Sequence, residues 1–306
     1  MNKEKNKLQS TFKSQDTEEW LDIHFTRPLG LMWANFFNKF NAHPNVITIL
    51  SIILGGTAGV MFYFPDLTHT LIGILLLIWA NLYDSADGQL ARMTGKKTLW
   101  GRILDGFAGD VWFFSIYVAI SLRLMPEWGV WIWLLCAFDG LICHVKQCQL
   151  ADYYRNIHLY FLKGKDGSEL DSYEKVRADY LATPWKGNLA WKIFLYSYCN
   201  YTRSQEQMSP QFQKFKKAVK EKFGDSIPQQ LRDDFRAGSL PLMKYTNILT
   251  FNTRAIALYV SLLIKMPWLY VAFEIIVLSL IFFYMRACHE KLSRTLYNKL
   301  DEYVTI

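Results

Sequence analysis

"HPNVITILSIILGGTAGVMFYFPDLTHTLIGILLLIWANLYDSADGQLAR" occupies residues 43–92. Two apolar runs flank the short break at Pro65–Thr70, and each run is about twenty residues, enough to cross a hydrocarbon core of roughly 30 Å. A Pro-Asn turn opens the first run near Val46. The second run ends in Asp84 and Asp87. Carboxylates beside lipid are costly unless something pairs them. The stretch therefore predicts an all-α membrane fold with a charged site at one end of its spans.

The same rule predicts four further spans. They run from about Asp105 to Leu124, from Trp128 to Val145, near 246–264 and near 267–285. Glu18–Phe40 mixes Trp, Phe and Leu with charges, which fits an amphipathic helix in the membrane interface. Residues 1–15 are polar and lack the apolar core of a signal peptide. Arg92, Lys96, Lys97 and Arg102 lie between the second and third spans, and Arg286, Lys291, Arg294 and Lys299 follow the sixth. The Pro65–Thr70 loop has neither Lys nor Arg. The excess of cations on cytoplasmic loops then places both termini and the acidic stretch in the cytoplasm, as in a bacterial inner membrane or its equivalent.

Four regions follow. They are a tail and interfacial helix (1–45), four spans with the charged site (46–146), a polar helical insert (147–245), and two last spans with a C-terminal tail (246–306). Within the insert, 209–241 reads as two short helices broken around Gly224–Pro228. Lys216, Lys217, Lys220 and Lys222 give the first a basic face, for solvent or for anionic head groups.

The chain has 306 residues, 51% of them hydrophobic, with a formal net charge of +7 and a pI of 9.0. That balance calls for an anionic partner. The apolar blocks favour lipid head groups and phosphates over nucleic acid. Five cysteines without a C-x-x-C pair argue against a disulfide framework or a zinc site.

Asp84 and Asp87 share a helix face, being three residues apart. A turn at Gly95 brings Asp105 back to the same depth. Three carboxylates from two helices form an all-oxygen site, which suits Mg²⁺ or Mn²⁺ with open positions for phosphate oxygens. Ser85, Ala86, Gly88 and Ala91 are small and let a bulky ligand approach the backbone. The plainer alternative pairs these carboxylates with Arg92, Lys96 or Arg102.

"DSADGQLARMTGKKTLWGRILD", residues 84–105, resembles the signature of the CDP-alcohol phosphotransferases, D-x2-D-G-x2-A-R-x8-G-x3-D-x3-D. Asp84, Asp87, Gly88, Ala91, Arg92, Gly101 and Asp105 fall in step, and "PNVIT" at 44–48 resembles the P-N-x-x-T found before the first span. The resemblance implies six spans, with Asp84, Asp87 and Asp105 holding two divalent ions. It places Gly88, Ala91, Arg92 and Gly101 about a CDP-linked donor, and implies that an acceptor hydroxyl displaces CMP. The 147–245 insert lies outside it.

The family's fourth aspartate, proposed to take the acceptor proton, should fall at 109. This chain has Gly109, and Asp110 follows. One residue turns a helix by about 100°, so a bulge near Gly106 and Gly109 is expected to swing Asp110 into place. Another base, or a member that binds donor without turnover, are the alternatives.

Asp139 and Glu274 lie within spans, as a pair in the bundle or along a substrate path. His144, Lys146, Arg155, Asn252 and Arg254 lie near the cytoplasmic level. Of these, Lys146 and Arg254 are the candidates for a phosphate on the acceptor.

The expected function is transfer of a substituted phosphate from CDP-diacylglycerol, or a similar CDP-lipid, to a polar alcohol such as inositol or inositol phosphate, in phospholipid or sphingolipid synthesis. A soluble CDP-alcohol acting on diacylglycerol or ceramide is the alternative within the class. A non-catalytic CDP-lipid-binding protein or a cation transporter is the alternative outside it. Family members are often homodimers, so a homodimer is a possible partner state.

Overall fold

The structure, a computed structural model, describes residues 14, 16–96, 98–164 and 167–303, with Leu99 and Arg102 described by backbone alone. Most of the polar N-terminal tail, Lys97 and the side chain of Arg102, read above for tail and topology, lie outside the described residues. The described residues form helices and no strand. They divide into two compact units, one of residues 1–144 with 251–276, the other of 145–250 with 277–306.

In the first unit a π-helical turn, Asp22–Thr26, leads into α1, Arg27–Lys39. Then come α2 (Pro44–Tyr63), α3 (Leu67–Thr94), α4 (Leu99–Trp128) and α5 (Trp131–Phe138), which continues as a π-helical segment, Asp139–His144. Local chemistry sets the ends. His43 Nδ1 accepts from Asn45 N at 3.2 Å with Pro44 in the first turn, Asp66 accepts from His69 N at 3.1 Å, and Thr98 accepts from Gly101 N at 2.9 Å. Gly95, at φ +68°, ends α3 in the left-handed conformation that costs glycine nothing. Thr98 then restarts the chain as α4, which gives the tight return that the acidic stretch requires.

α2 and α4 approach closely because α2 presents small residues. A Cβ on Gly55 would lie 2.1 Å from the Trp112 ring, and one on Gly59 would lie 2.0 Å from Ser115 Oγ. Trp112 Nε1 donates to Ser51 O at 3.0 Å across the same seam. Such small-residue interfaces drive helix association where lipid removes the hydrophobic drive. The outward faces carry exposed Ile53, Leu75, Phe114 and Leu134, as lipid contact requires.

The rest of the first unit is α12 (Phe251–Leu263) and α13 (Trp268–Ala272), which opens a further π-helical segment at Phe273. The second unit holds α6 (Val145–Lys163), α7 (Tyr173–Ala182), α8 (Leu189–Met208), α9 (Pro210–Phe223), α10 (Gln229–Ser239), α11 (Met243–Ile248) and α14 (Ser279–Asn298). α9 and α10 are the two helices read at 209–241. Lys217 and Lys220 are exposed, while Lys222 donates to Leu300 O at 2.9 Å.

Four helices among the described residues are long and apolar enough to cross a membrane: Pro44–Tyr63, Leu67–Thr94, Ile103–Trp128 and Trp268–Asn298. The stretches expected as fourth and fifth spans are not among these four. The fourth is helical throughout, running from α5 through the π-helical segment with buried Asp139 and His144 into Val145. The fifth breaks between α11 and α12, where Thr250 Oγ1 turns back onto Asn247 O at 2.6 Å, a side-chain bond that competes with the helical ladder.

Candidate metal and nucleotide site

The site is built at the C-terminal end of α3 and the N-terminal end of α4. One carboxylate oxygen each from Asp84, Asp87 and Asp105 lies within 4.8 Å of the other two. Asp87 is buried, Asp84 half-buried and Asp105 exposed, so the cluster opens from the helix seam outward. Three anionic groups at this spacing repel strongly unless a cation sits among them. Asp87 Oδ2 has neither solvent nor a hydrogen-bond donor, which is the condition of an oxygen awaiting a metal. The residues thus fit a hard divalent ion with oxygen ligands.

Arg92 supplies the complementary deficit. Its Nε and Nη2 are buried without an acceptor, and its electrostatic neighbours are Arg27, Glu18, Asp105 and Asp87. A guanidinium with unused donors beside a cation-seeking carboxylate fits a phosphate oxygen. A Cβ on Gly88 would lie 3.4 Å from Arg92 Nη1, so glycine keeps that guanidinium uncrowded. Ala91 is half-buried one residue before Arg92. A Cβ on Gly101 would lie 3.0 Å from Asn45 Oδ1.

The "PNVIT" segment takes part at both ends. Asn45 abuts Gly101, while buried Thr48 donates to Pro44 O at 3.3 Å and lies within hydrogen-bonding reach of Asp87. Two residues from the N-terminal segment also arrive, and no spacing rule finds them. Arg27 is held bidentately by Glu18 at 3.1 and 3.0 Å and is an electrostatic neighbour of Asp84. α1 is seated on α3 through Gly30, where a Cβ would lie 2.6 Å from Ser85 Oγ and 2.7 Å from Gln89 Nε2. Gln89 Nε2 donates to Arg27 O at 3.1 Å, fixing the backbone that carries this cation. Asn252 of α12 donates to Glu19 at 2.9 Å and Asp22 at 3.1 Å, tying down the same segment.

Asp110 is not brought into the aspartate cluster. α4 is an unbroken α-helix from Leu99 to Trp128, so the expected bulge at Gly106–Gly109 does not occur. Asp110 is exposed and has His144 as an electrostatic neighbour. A Cβ on Gly109, on the face shared with Asp105, would meet nothing within 4 Å.

The two candidates for an acceptor phosphate are engaged elsewhere. Lys146, in the second unit, donates to Ser204 Oγ at 2.5 Å, and Ser204 to Gln149 at 2.8 Å. Arg254 is fully buried and donates to Glu274, itself fully buried. His144 Nδ1 lies 3.0 Å from Arg254 Nη1 and 3.1 Å from the Tyr117 hydroxyl, which donates to Glu274. Asp139, also fully buried, is an electrostatic neighbour of the same pair. Arg254 is thus the counter-charge of buried carboxylates and presents no surface to an acceptor. Two of the carboxyl-bearing segments are π-helical, the geometry that often marks functional sites.

Comparison with known proteins agrees with this geometry. An uncharacterized protein of Aquifex aeolicus is 41% identical over 72 residues, 24% of this chain and 35% of its own. A bifunctional IPC transferase and DIPP synthase of the same organism is 31% identical over 99 residues, 32% of this chain and 22% of its own. An archaetidylinositol phosphate synthase of Pyrococcus horikoshii is 36% identical over 87 residues, 28% of this chain and 45% of its own. The alignments therefore span less than half the length of each of these relatives. No solved structure matches the chain. Residues 41–158 match the family described as CDP-alcohol phosphatidyltransferase, and they contain Asp84, Asp87, Arg92 and Asp105. Over that stretch, less than half of its length, the chain is similar to the CDP-alcohol phosphatidyltransferases.

Proposed function

We propose that the protein transfers the phosphatidyl-type group of a CDP-linked lipid to an inositol-type alcohol and releases CMP. The observation that carries this reading is the pairing of opposite deficits. Asp87 Oδ2 has no hydrogen-bond donor within a cluster of three carboxylates, and Arg92 Nε and Nη2 nearby have no acceptor. The family match supports the CDP-linked donor, and the name of the Pyrococcus relative supports inositol phosphate as acceptor.

Asp84, Asp87 and Asp105 would hold Mg²⁺ or Mn²⁺. The metal, when bound, neutralises pyrophosphate charge and makes CMP a better leaving group. Arg92 binds a phosphate oxygen, and Gly88 and Ala91 leave room for the nucleotide along α3. Gly101 with Asn45 forms the opposite rim. Arg27, fixed by Glu18 and by the Gln89 bond, adds positive potential near Asp84. The acceptor oxygen attacks the lipid-bearing phosphorus, the phosphoanhydride bond breaks, and CMP leaves with the bridging oxygen. Asp110 takes the hydroxyl proton from the flank of the open space at Gly109. The membrane topology that suits this chemistry has six spans, with the fourth and fifth included, an interfacial α1, and both termini and the 147–245 insert on the cytoplasmic side.

The test is CMP release by the purified chain with Mg²⁺ or Mn²⁺ and CDP-diacylglycerol across a panel containing inositol, inositol phosphate, glycerol phosphate and serine. Release with an inositol-type acceptor alone supports the reading. Release only when a soluble CDP-alcohol meets diacylglycerol or ceramide reverses the donor and acceptor assignment.

A further inference from the structure

The insert carries an apolar surface that the site does not use. Among the described residues of 145–250, the exposed large apolar side chains are Leu181, Trp185, Leu189, Ile193, Tyr196 and Leu240. The first five fall within the α7–α8 hairpin, and each is more than half exposed. Leu189, Ile193 and Tyr196 recur at helical spacing. They form a stripe apart from the one that α8 buries through Lys192, Leu195, Cys199 and Thr202. A second apolar stripe on an otherwise polar insert needs its own partner.

The hairpin is constructed to present that surface. Lys192 is buried, and its ammonium donates to Thr183 O at 2.6 Å and to Tyr180 O. Those carbonyls belong to the last turn of α7 and its cap, where helix termini lack partners. The same ammonium lies 4.2 Å from the centre of the Tyr180 ring and 5.4 Å from that of Trp185. Gly187, at φ +82°, completes the turn. Trp185 is thereby held at the tip with one face against a cation and 54% of its surface open.

The charge pattern selects the partner. From Leu181 to Asn200 the chain has no Asp or Glu, and its charges are Lys186, exposed at the tip, and Lys192. Trp and Tyr beside Leu and Ile, with lysine and no acid, is the composition of a segment seated at an anionic membrane–water boundary. A chain with four helices able to cross a bilayer already has that surface at hand. We infer that the α7–α8 hairpin, through Leu181, Trp185, Leu189, Ile193 and Tyr196, docks on the interface of an anionic bilayer, with Lys186 among its head groups. This inference does not depend on the proposed transferase reaction.

The test uses the full chain in vesicles of phosphatidylcholine with phosphatidylglycerol. An environment-sensitive fluorophore is attached through Asn188→Cys, at the hairpin tip, and in a second sample through Lys214→Cys, on the solvent face of α9, with the native cysteines replaced. The expected result at 188 is strong quenching by a lipid carrying a doxyl group high on its chain and weak quenching by aqueous iodide, with the reverse at 214. Lys186→Gln should shift the ratio of lipid to iodide quenching by about fivefold towards iodide, the share of one basic residue near an anionic surface. Trp185→Ser with Leu189→Ser should restore iodide access, and retention of the thermal midpoint shows that the exposed substitutions leave folding intact. Equal iodide access at both positions overturns the inference. So does protection at 188 from both quenchers, which would place a second copy or another protein on the hairpin.

Discussion

Replacing Glu274 by Gln tests the buried polar cluster, because that carboxylate is fully buried and accepts from Arg254 and Tyr117. Glutamine conserves volume, so the loss is electrostatic: the Arg254 guanidinium, also fully buried, loses its principal anion. Removing one partner of a buried ion pair costs about 3–5 kcal/mol, because the remaining charge has lost its solvent without compensation. Asp139, fully buried and an electrostatic neighbour of Arg254, is positioned to take over part of that role. The expected cost is therefore about 3 kcal/mol for Glu274→Gln and closer to 5 when Asp139→Asn is added. At two to four degrees per kcal/mol, the single variant should melt roughly 10 °C below the wild type. The assay is thermal loss of the monodisperse peak in detergent. Glu274→Gln paired with Arg254→Met should recover most of the loss, since replacing both charges removes the uncompensated one. A single variant within about 1 °C of wild type, or a double variant no better than the single, would refute the claim that this pair is a balanced unit.

Other consequences can be measured in the same preparations. Asp105→Asn changes an exposed side chain and should leave the thermal midpoint unchanged while metal-dependent CMP release falls by at least about 100-fold. Gly88→Ala puts a methyl group 3.4 Å from Arg92 Nη1 and should raise the KM for the CDP-linked donor about tenfold with little change in kcat. Gly59→Val drives a side chain into Ser115, which leaves no room at 2.0 Å, and should cost about 1–3 kcal/mol in detergent melts. Chelation of divalent ions should abolish CMP release, and added Mg²⁺ or Mn²⁺ should restore it.

Much of the membrane architecture was legible because lipid imposes a simple rule on composition. The runs at 43–64 and 71–83 could only be satisfied by helices with apolar exteriors, and the turn chemistry of Gly95 and Thr98 returned the chain. The aspartate triplet was legible because its members lie within one helix–turn–helix, so local spacing reports their distance. Arg27 and Glu18 were not, since they reach the site through a π-helical turn and the seating of Gly30 on Ser85, which no periodicity encodes. The bulge expected beside Asp110 fails to form for the opposite reason. Two glycines suggested a bulge, but α4 packs through Trp112 and Ser115 in unbroken helical register, and nothing is gained by distorting it. Arg254 looked like a phosphate ligand because its charge was visible and Glu274, twenty residues on and across a second helix, was not recognisable as its partner.

Whether the three aspartates hold a divalent ion for a CDP-linked lipid is decided by Mn²⁺ binding to the purified chain, followed by the loss of the free-ion paramagnetic resonance signal. Wild type is compared with Asp87→Asn and Asp105→Asn, with and without CDP-diacylglycerol. Saturable binding that the CDP-lipid tightens, and that both variants lose while keeping their thermal midpoints, is the predicted result. Binding of equal strength in wild type and both variants would contradict the assignment.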